Sequence, residues 1–360
     1  MSKKICILGA NNLKHMTLIS LYTDIFEEYN QSYDIIYLDR YHKEENSDAE
    51  NVYRYELNLK TEWPLPVKLA KYWGFRKYAV DIIEQNNYDF VIAWNEFTAF
   101  MFSDYLAKKY KGRYSINIRD YNYNNVFIVQ NRLRKAVENA RFSTISSARF
   151  LNFLPKGNYL FIHSYNHKIL SGLPSKTTKK TKEAVINIMF IGRMSYPDTI
   201  KKTIDTLGND KRFQLYLIGA GCDSFSDYVK ENGYKNVLIH DSFEASETAS
   251  FLDKADIIYS LNKENEIFSD VLLPIKLYYA IHMHVPVLAF KSSYTYEYAH
   301  SHNFGIGITM STFENIGDIV YDTYHSIPYR DLEIGCNEAM EEILQGHMDF
   351  RRNVVDVLEK

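Results

Sequence analysis

The chain has 360 residues, long enough to predict two domains rather than one hydrophobic core. Its 42 basic and 45 acidic side chains leave a net charge of −3, too balanced for a dedicated nucleic-acid binder. Three cysteines (Cys6, Cys222, Cys336) stand far apart, with no CxxC or Cys/His cluster, which excludes a disulfide framework or zinc motif and fits a reducing cytosol.

Short apolar runs alternate with helical segments along the whole chain, the pattern of a doubly wound α/β protein. In the first half, strands are predicted at 4–9, 33–39, 89–94, 115–119, 143–145 and 159–162. Helices are predicted at 16–29, 67–86, 98–109 and 126–140. Residues 173–183 are polar and lack apolar periodicity, so they read as a solvated interdomain linker. The rhythm then restarts with strands at 186–191, 214–218, 237–240, 257–260, 285–289 and 305–308. Residues 331–344 and 350–358 read as amphipathic helices that pack back on the first domain. The resulting division is 1–172, linker 173–183, 184–330 and 331–360. No apolar stretch reaches the roughly 20 residues of a membrane helix, and Met1-Ser2-Lys3-Lys4 precedes a strand-like run rather than a signal-peptide core, so a cytoplasmic location is expected.

Open α/β sheets hold ligands at the carboxyl ends of their strands, which directs attention to the loops there. Arg193 directly follows a buried strand and Gly192, so its forked guanidinium is delivered where backbone can approach a ligand closely. Lys276 lies in the first turn of a helix opened by Pro274, where a cation opposes the helix dipole and needs a reason. Helix N-terminus, Arg and Lys are all devices for holding phosphate, and a sugar nucleotide is the expected ligand. Arg119-Asp120 places two charges at another strand end and reads equally as a surface ion pair or as part of a site. Gly9-Ala10-Asn11-Asn12 lacks GxGxxG spacing and reads first as a strand-to-helix turn, and Gly219-Ala220-Gly221 as a tight turn. His15, His163 and His284 are too dispersed for a metal motif.

The runs Phe190-Ile191-Gly192-Arg193-Met194-Ser195-Tyr196-Pro197, Leu215-Tyr216-Leu217-Ile218-Gly219-Ala220-Gly221, Ala255-Asp256-Ile257-Ile258-Tyr259-Ser260, Leu273-Pro274-Ile275-Lys276-Leu277-Tyr278 and Val285-Pro286-Val287 resemble, in that order, the donor domain of GT-B glycosyltransferases. The likeness is strongest to glycosyltransferase family 4 and related bacterial capsule, exopolysaccharide and O-antigen enzymes. Ile118-Arg119-Asp120-Tyr121 and Ser143-Thr144-Ile145-Ser146-Ser147 are similar to the acceptor domain of that group. The resemblance implies two Rossmann-like α/β/α domains facing across a cleft. It implies that Gly192, Arg193 and Lys276 hold the donor diphosphate with backbone N–H groups around Leu272 and Leu273, and that Phe243 lines the base pocket. Arg119 and Asp120 would face the donor sugar. Many relatives have Glu where this chain has Tyr279, a ribose-binding position, and Gly where it has His284. The carboxylate eight residues before Tyr279 is replaced by Val271, leaving Glu264, Glu266 or Asp270 to substitute; Glu266 is the candidate catalytic carboxylate.

The implied activity is transfer of a sugar from a nucleotide diphosphate donor, a UDP-sugar first, to a glycan or lipid-linked glycan in surface polysaccharide synthesis. The chain contains no DxD sequence, so Arg193, Lys276 and the helix N-terminus are expected to serve without metal, and no other cofactor is expected. Family likeness favours retention, the leaving phosphate accepting the acceptor proton; in an inverting enzyme Asp120 would be the base. Lys68, Lys71, Tyr72, Phe75 and Arg76 fall within about 140° of helical arc. That face suits either the surface of an anionic inner membrane or core packing with snorkelling cations. Two other readings compete: a catalytically weak GT-B scaffold, motivated by Tyr279 and His284, and a sugar-nucleotide epimerase on the same fold.

Overall fold

The computed structural model describes residues 2–360 except 17, 59–61, 120–125 and 171. The chain divides into two units, Met1–His163 with Gln345–Lys360, and Ser164–Leu344.

In the first unit seven strands form a wholly parallel sheet: β1 (Ile5–Gly9), β2 (Tyr33–Asp39), β3 (Asn51–Glu56), β4 (Phe90–Trp94), β5 (Tyr114–Ile118), β6 (Phe142–Ile145) and β7 (Tyr159–Phe161). Their spatial order is β3-β2-β1-β4-β5-β6-β7. Strands β1, β4, β5 and β6 are buried at every position, as expected where helices cover both faces of a parallel sheet. The connecting helices are α1 (Ser20–Glu28), α2 (Leu65–Asn86), α3 (Glu96–Lys109) and α4 (Phe127–Asn139). Helix α3 begins where the Asn95 side chain accepts the Thr98 N–H at 2.8 Å, an N-cap that starts the helix directly at the end of β4.

The second unit repeats the plan with β8 (Ile186–Ile191), β9 (Phe213–Ile218), β10 (Val237–His240), β11 (Ile257–Tyr259), β12 (Val287–Phe290) and β13 (Gly305–Ile308), in the order β10-β9-β8-β11-β12-β13 and all parallel. Along β8, Ile186, Ile188 and Phe190 enter one apolar cluster while Met189 and Ile191 enter the other, so the period of two supplies both faces of the sheet. Its helices are α5 (His167–Leu170), α6 (Pro197–Leu207), α7 (Ser226–Glu231), α8 (Thr248–Leu252), α9 (Ile267–Val271), α10 (Ile275–Met283), α11 (Tyr294–Ser301) and α12 (Ile316–Ser326). The last helix, α13 (Tyr329–Glu359), is counted with the second unit up to Leu344 and with the first from Gln345.

Three expectations need correction. Strand β3 was not anticipated: Asn51-Val52-Tyr53-Arg54-Tyr55-Glu56 is an exposed edge strand, and its mixed polarity hides its strand character. Residues 173–183, expected as a solvated linker, fall within the second unit and are hydrogen-bonded to it. Lys176 N–H donates to Met283 O at 2.9 Å, the Lys179 ammonium to Ile327 O at 2.5 Å and to Tyr324 O, and Lys180 N–H to the Tyr324 hydroxyl at 3.0 Å. The two predicted C-terminal helices are one continuous 31-residue helix.

Candidate functional site

Strand order in the second sheet reverses between β8 and β11, and the crevice at the carboxyl ends of these neighbours is where such sheets take ligands. Strand β8 stops at Ile191. Gly192 then adopts φ +125°, its N–H still donating to Ile218 O at 2.9 Å, and Met194 N–H donates to Ala220 O at 2.9 Å. The turn behind it is held in turn: Gly219 has φ +126° and donates to His240 O at 2.8 Å, while Gly221 N–H donates to Asp241 Oδ1 at 3.0 Å. Three successive strand ends thus brace one another and leave Arg193 exposed at the mouth. Across the crevice, Thr199 Oγ1 donates to the Asn262 carbonyl at 2.7 Å, fixing the loop after β11 to the start of α6.

Helix α10 brings the second cation. Pro274, extended at φ −72° and ψ 156°, caps it, and Lys276 sits in its first turn. The Lys276 ammonium lies 3.7 Å from the centroid of the Phe190 ring, a cation–π contact with the last aromatic of β8. Arg193, Lys276, Phe190, Asn262, Leu272 and Tyr196 line one cavity of about 260 Å³, with Ser195 beside them. Lys276 keeps some surface as a residue, but its ammonium is sunk in the protein, and burial pulls its pKa down to about 7, opposed weakly by the nearby Cys222 thiol. Among the described residues no carboxylate comes within ion-pair distance of Lys276 or Arg193. Two cations without counter-charge on one small cavity suit a multiply charged anion such as a diphosphate.

The other sequence-predicted residues spread more widely. Leu272 lines the cavity, whereas Leu273 is buried in the core beside Leu277 and Tyr278. Phe243, in the loop after β10, is half-buried and packs edge-on against Phe251 with centroids 5.2 Å apart; it is not a lining residue. Tyr279 is 8% exposed within the core, and burial pushes its hydroxyl up to about 12. Glu266 does not line the cavity, yet its Oε2 is buried with no hydrogen-bond partner among the described residues. Glu264 accepts the Met310 N–H at 3.1 Å, and Val271 is buried in the core. His284 ends α10 in the left-handed conformation (φ 54°, ψ 50°), the C-cap geometry glycine favours, so this departure from the resembled family has a backbone meaning.

In the first unit, Arg119 follows β5 and is half-buried. It acts electrostatically on Tyr22, His163 and His347. Burial, with His347 and Arg119 adding to it, pulls His163 down to about 4. Asp120 lies outside the described residues. The loop after β1 is a tied turn: Asn12 Nδ2 donates to Asp39 Oδ1 at 2.6 Å, and Glu45 accepts the Leu13 and Lys14 N–H groups at 2.9 and 3.0 Å. On α2, Phe75 is fully buried against Tyr55 and Phe102, so it leaves the predicted basic-aromatic face, while Trp73 joins the surface instead.

Ser195, Tyr196 and Asn262 lie in strand-end loops but are not among the predicted site residues. Each is a single polar loop residue with no periodicity; only its place after a strand could have marked it.

No protein-family profile matches the chain, and no curated protein matches it in sequence. Solved structures do match in fold. WaaG, a glycosyltransferase involved in lipopolysaccharide biosynthesis, has a TM-score of 0.63 at 11% identity, covering 99% of each chain. HepE from Anabaena, in complex with UDP, has a TM-score of 0.65 at 14% identity, covering 98% of this chain and 100% of its own. A protein from Listeria monocytogenes described as a UDP-N-acetylglucosamine 2-epimerase has a TM-score of 0.56 at 10% identity, covering 94% and 95%. At such identities the likeness defines the fold: two Rossmann-like units of the GT-B class.

Proposed function

We propose that the protein is a glycosyltransferase moving a sugar from a nucleotide diphosphate donor, a UDP-sugar, to a glycan or lipid-linked glycan acceptor. The observation that carries this reading is the convergence of Arg193 and Lys276, both without a carboxylate partner among the described residues, on one cavity at the switch point of β8 and β11. Breaking a glycosyl–phosphate bond leaves an oxocarbenium-like sugar and concentrates negative charge on the departing diphosphate. Cations fixed at that position before the reaction favour the transition state over the ground state. Leu272 at the N-terminal approach to α10 adds backbone N–H donors on the same side. HepE, similar over nearly its whole length, has been captured with UDP and with UDP and glucose, which favours uridine as the base.

In a retaining reaction the leaving phosphate takes the acceptor proton. Arg119 and Asp120 then orient and balance charge at the donor sugar, with Glu266 as the carboxylate substituting for Val271. Surface polysaccharide is the favoured destination of the sugar, with work at the cytoplasmic face of the membrane. Trp73, exposed two residues from Lys71 on α2, and Phe127 and Ile128, exposed at the start of α4, support a membrane contact.

The test is release of UDP from UDP-hexoses, with and without lipid-linked glycan acceptors and with chelator present. Acceptor-dependent release that survives chelation supports the proposal. Conversion of the sugar without acceptor would instead make the chain an epimerase, the second reading, which the fold likeness to the Listeria protein favours.

A further inference from the structure

The surroundings of Lys276 are unusual for a residue meant to stay charged. Its ammonium rests on the Phe190 ring at 3.7 Å, a contact that favours the charge by less than burial costs it, and its Cε lies 3.7 Å from where a Cβ on Gly192 would stand. From the loop after β8 the charged group on the same cavity is Arg193, another cation. From the turn after β9 the neighbour is Cys222, fully buried and pushed up to about 12 by that burial, hence a neutral thiol. The Asp223 and Asp241 carboxylates act on Cys222. From the loop after β11 and the approach to α10 come Asn262 and Leu272, which do not titrate. A desolvated amine with no carboxylate against it among the described residues holds its proton weakly. A diphosphate entering the cavity reverses that balance.

Resting on the reading of this cavity as the donor site, we propose that a nucleoside diphosphate binds together with a proton, which Lys276 takes up on binding and returns to solvent when the nucleotide leaves. The step is a simple protonation: the lone pair of the neutral amine accepts a solvent proton and becomes an ammonium that donates to phosphate oxygen. The free amine loses its proton near pH 7. Above that pH, affinity therefore falls by up to about tenfold per pH unit, the slope of one linked proton.

Calorimetric titration tests this with UDP, GDP and ADP in turn at about pH 8.5, where the phosphates are already fully ionised. The tightest binder is then measured in two buffers of different ionisation heat. Wild-type protein should take up close to one proton per nucleotide. Lys276→Arg, charged at every accessible pH, should take up almost none and hold its affinity level between about pH 7.5 and 8.5. Lys276→Met should bind more weakly, also without uptake, and its melting curve checks that it remains folded. Binding without proton uptake in the wild type overturns this proposal and leaves the donor site standing, as does uptake that survives in Lys276→Arg. Silence from all three nucleotides overturns the donor site itself, and this proposal with it.

Discussion

A Cβ on Gly219 would lie 2.2 Å from the carbonyl oxygen of Gly192. The turn after β9 is thus pressed directly against the backbone that presents Arg193, and neither glycine is there for a loose turn. Gly219 lets one strand end support the next.

Gly219→Ala should therefore injure the site through its scaffold. The φ of +126° and the backbone contact cannot both be kept with a side chain. A destabilisation of at least about 2 kcal/mol is expected, together with weaker nucleotide binding. Urea unfolding followed by calorimetry of the folded fraction checks both parts.

His284→Gly should do the opposite. A left-handed C-cap is strained for His and easy for Gly, so the change should leave stability within about 1 kcal/mol of wild type or raise it. Transfer kinetics should be unchanged. A large loss of activity at normal stability would show that this position contributes to the site.

A half-buried histidine of the first unit, His163, sets an acid limit. His163 has its pKa lowered to about 4 by burial, His347 and Arg119, against an ordinary value near 6.5. Between those values the unfolded chain binds more protons than the folded one, so this contribution is fully present above about pH 6.5 and is lost as pH falls toward 4. The melting temperature of wild-type protein should drop more between pH 7 and pH 4.5 than that of His163→Asn. Equal drops would mean that His163 is not the group responsible.

Much of the fold was legible because parallel strands buried on both faces appear as bare apolar runs: Ile186–Ile191, Val237–His240 and Gly305–Ile308 fall where the sequence places them. Where structure depends on what a polar group reaches, the sequence was silent. Arg54 makes β3 an organised edge by pairing with Asp39 at 2.7 Å, a partner in another strand. Lys179 buries its ammonium on backbone carbonyls, which every residue possesses and no pattern announces. Gly346 interrupts the apolar rhythm of α13, though a Cβ there would lie 2.8 Å from Phe161 O, so its smallness serves packing rather than a helix end. In the site, Arg193 and Lys276 were legible because each follows a punctuating residue, Gly192 or Pro274. Tyr279 was not: three residues from Lys276 on the same helix, it turns into the core.

Arg193 is the residue on which the donor site depends most, and the initial rate of sugar transfer by Arg193→Ala tests its role most directly. The side chain is exposed and makes no ion pair among the described residues, so its removal should shift stability by under about 0.5 kcal/mol. Loss of a donor positioned for the leaving diphosphate should cost at least about a hundredfold in rate, with UDP losing affinity and uridine keeping it. A folded Arg193→Ala protein that transfers sugar at the wild-type rate would contradict the assignment of the cavity between β8 and α10 as the donor site.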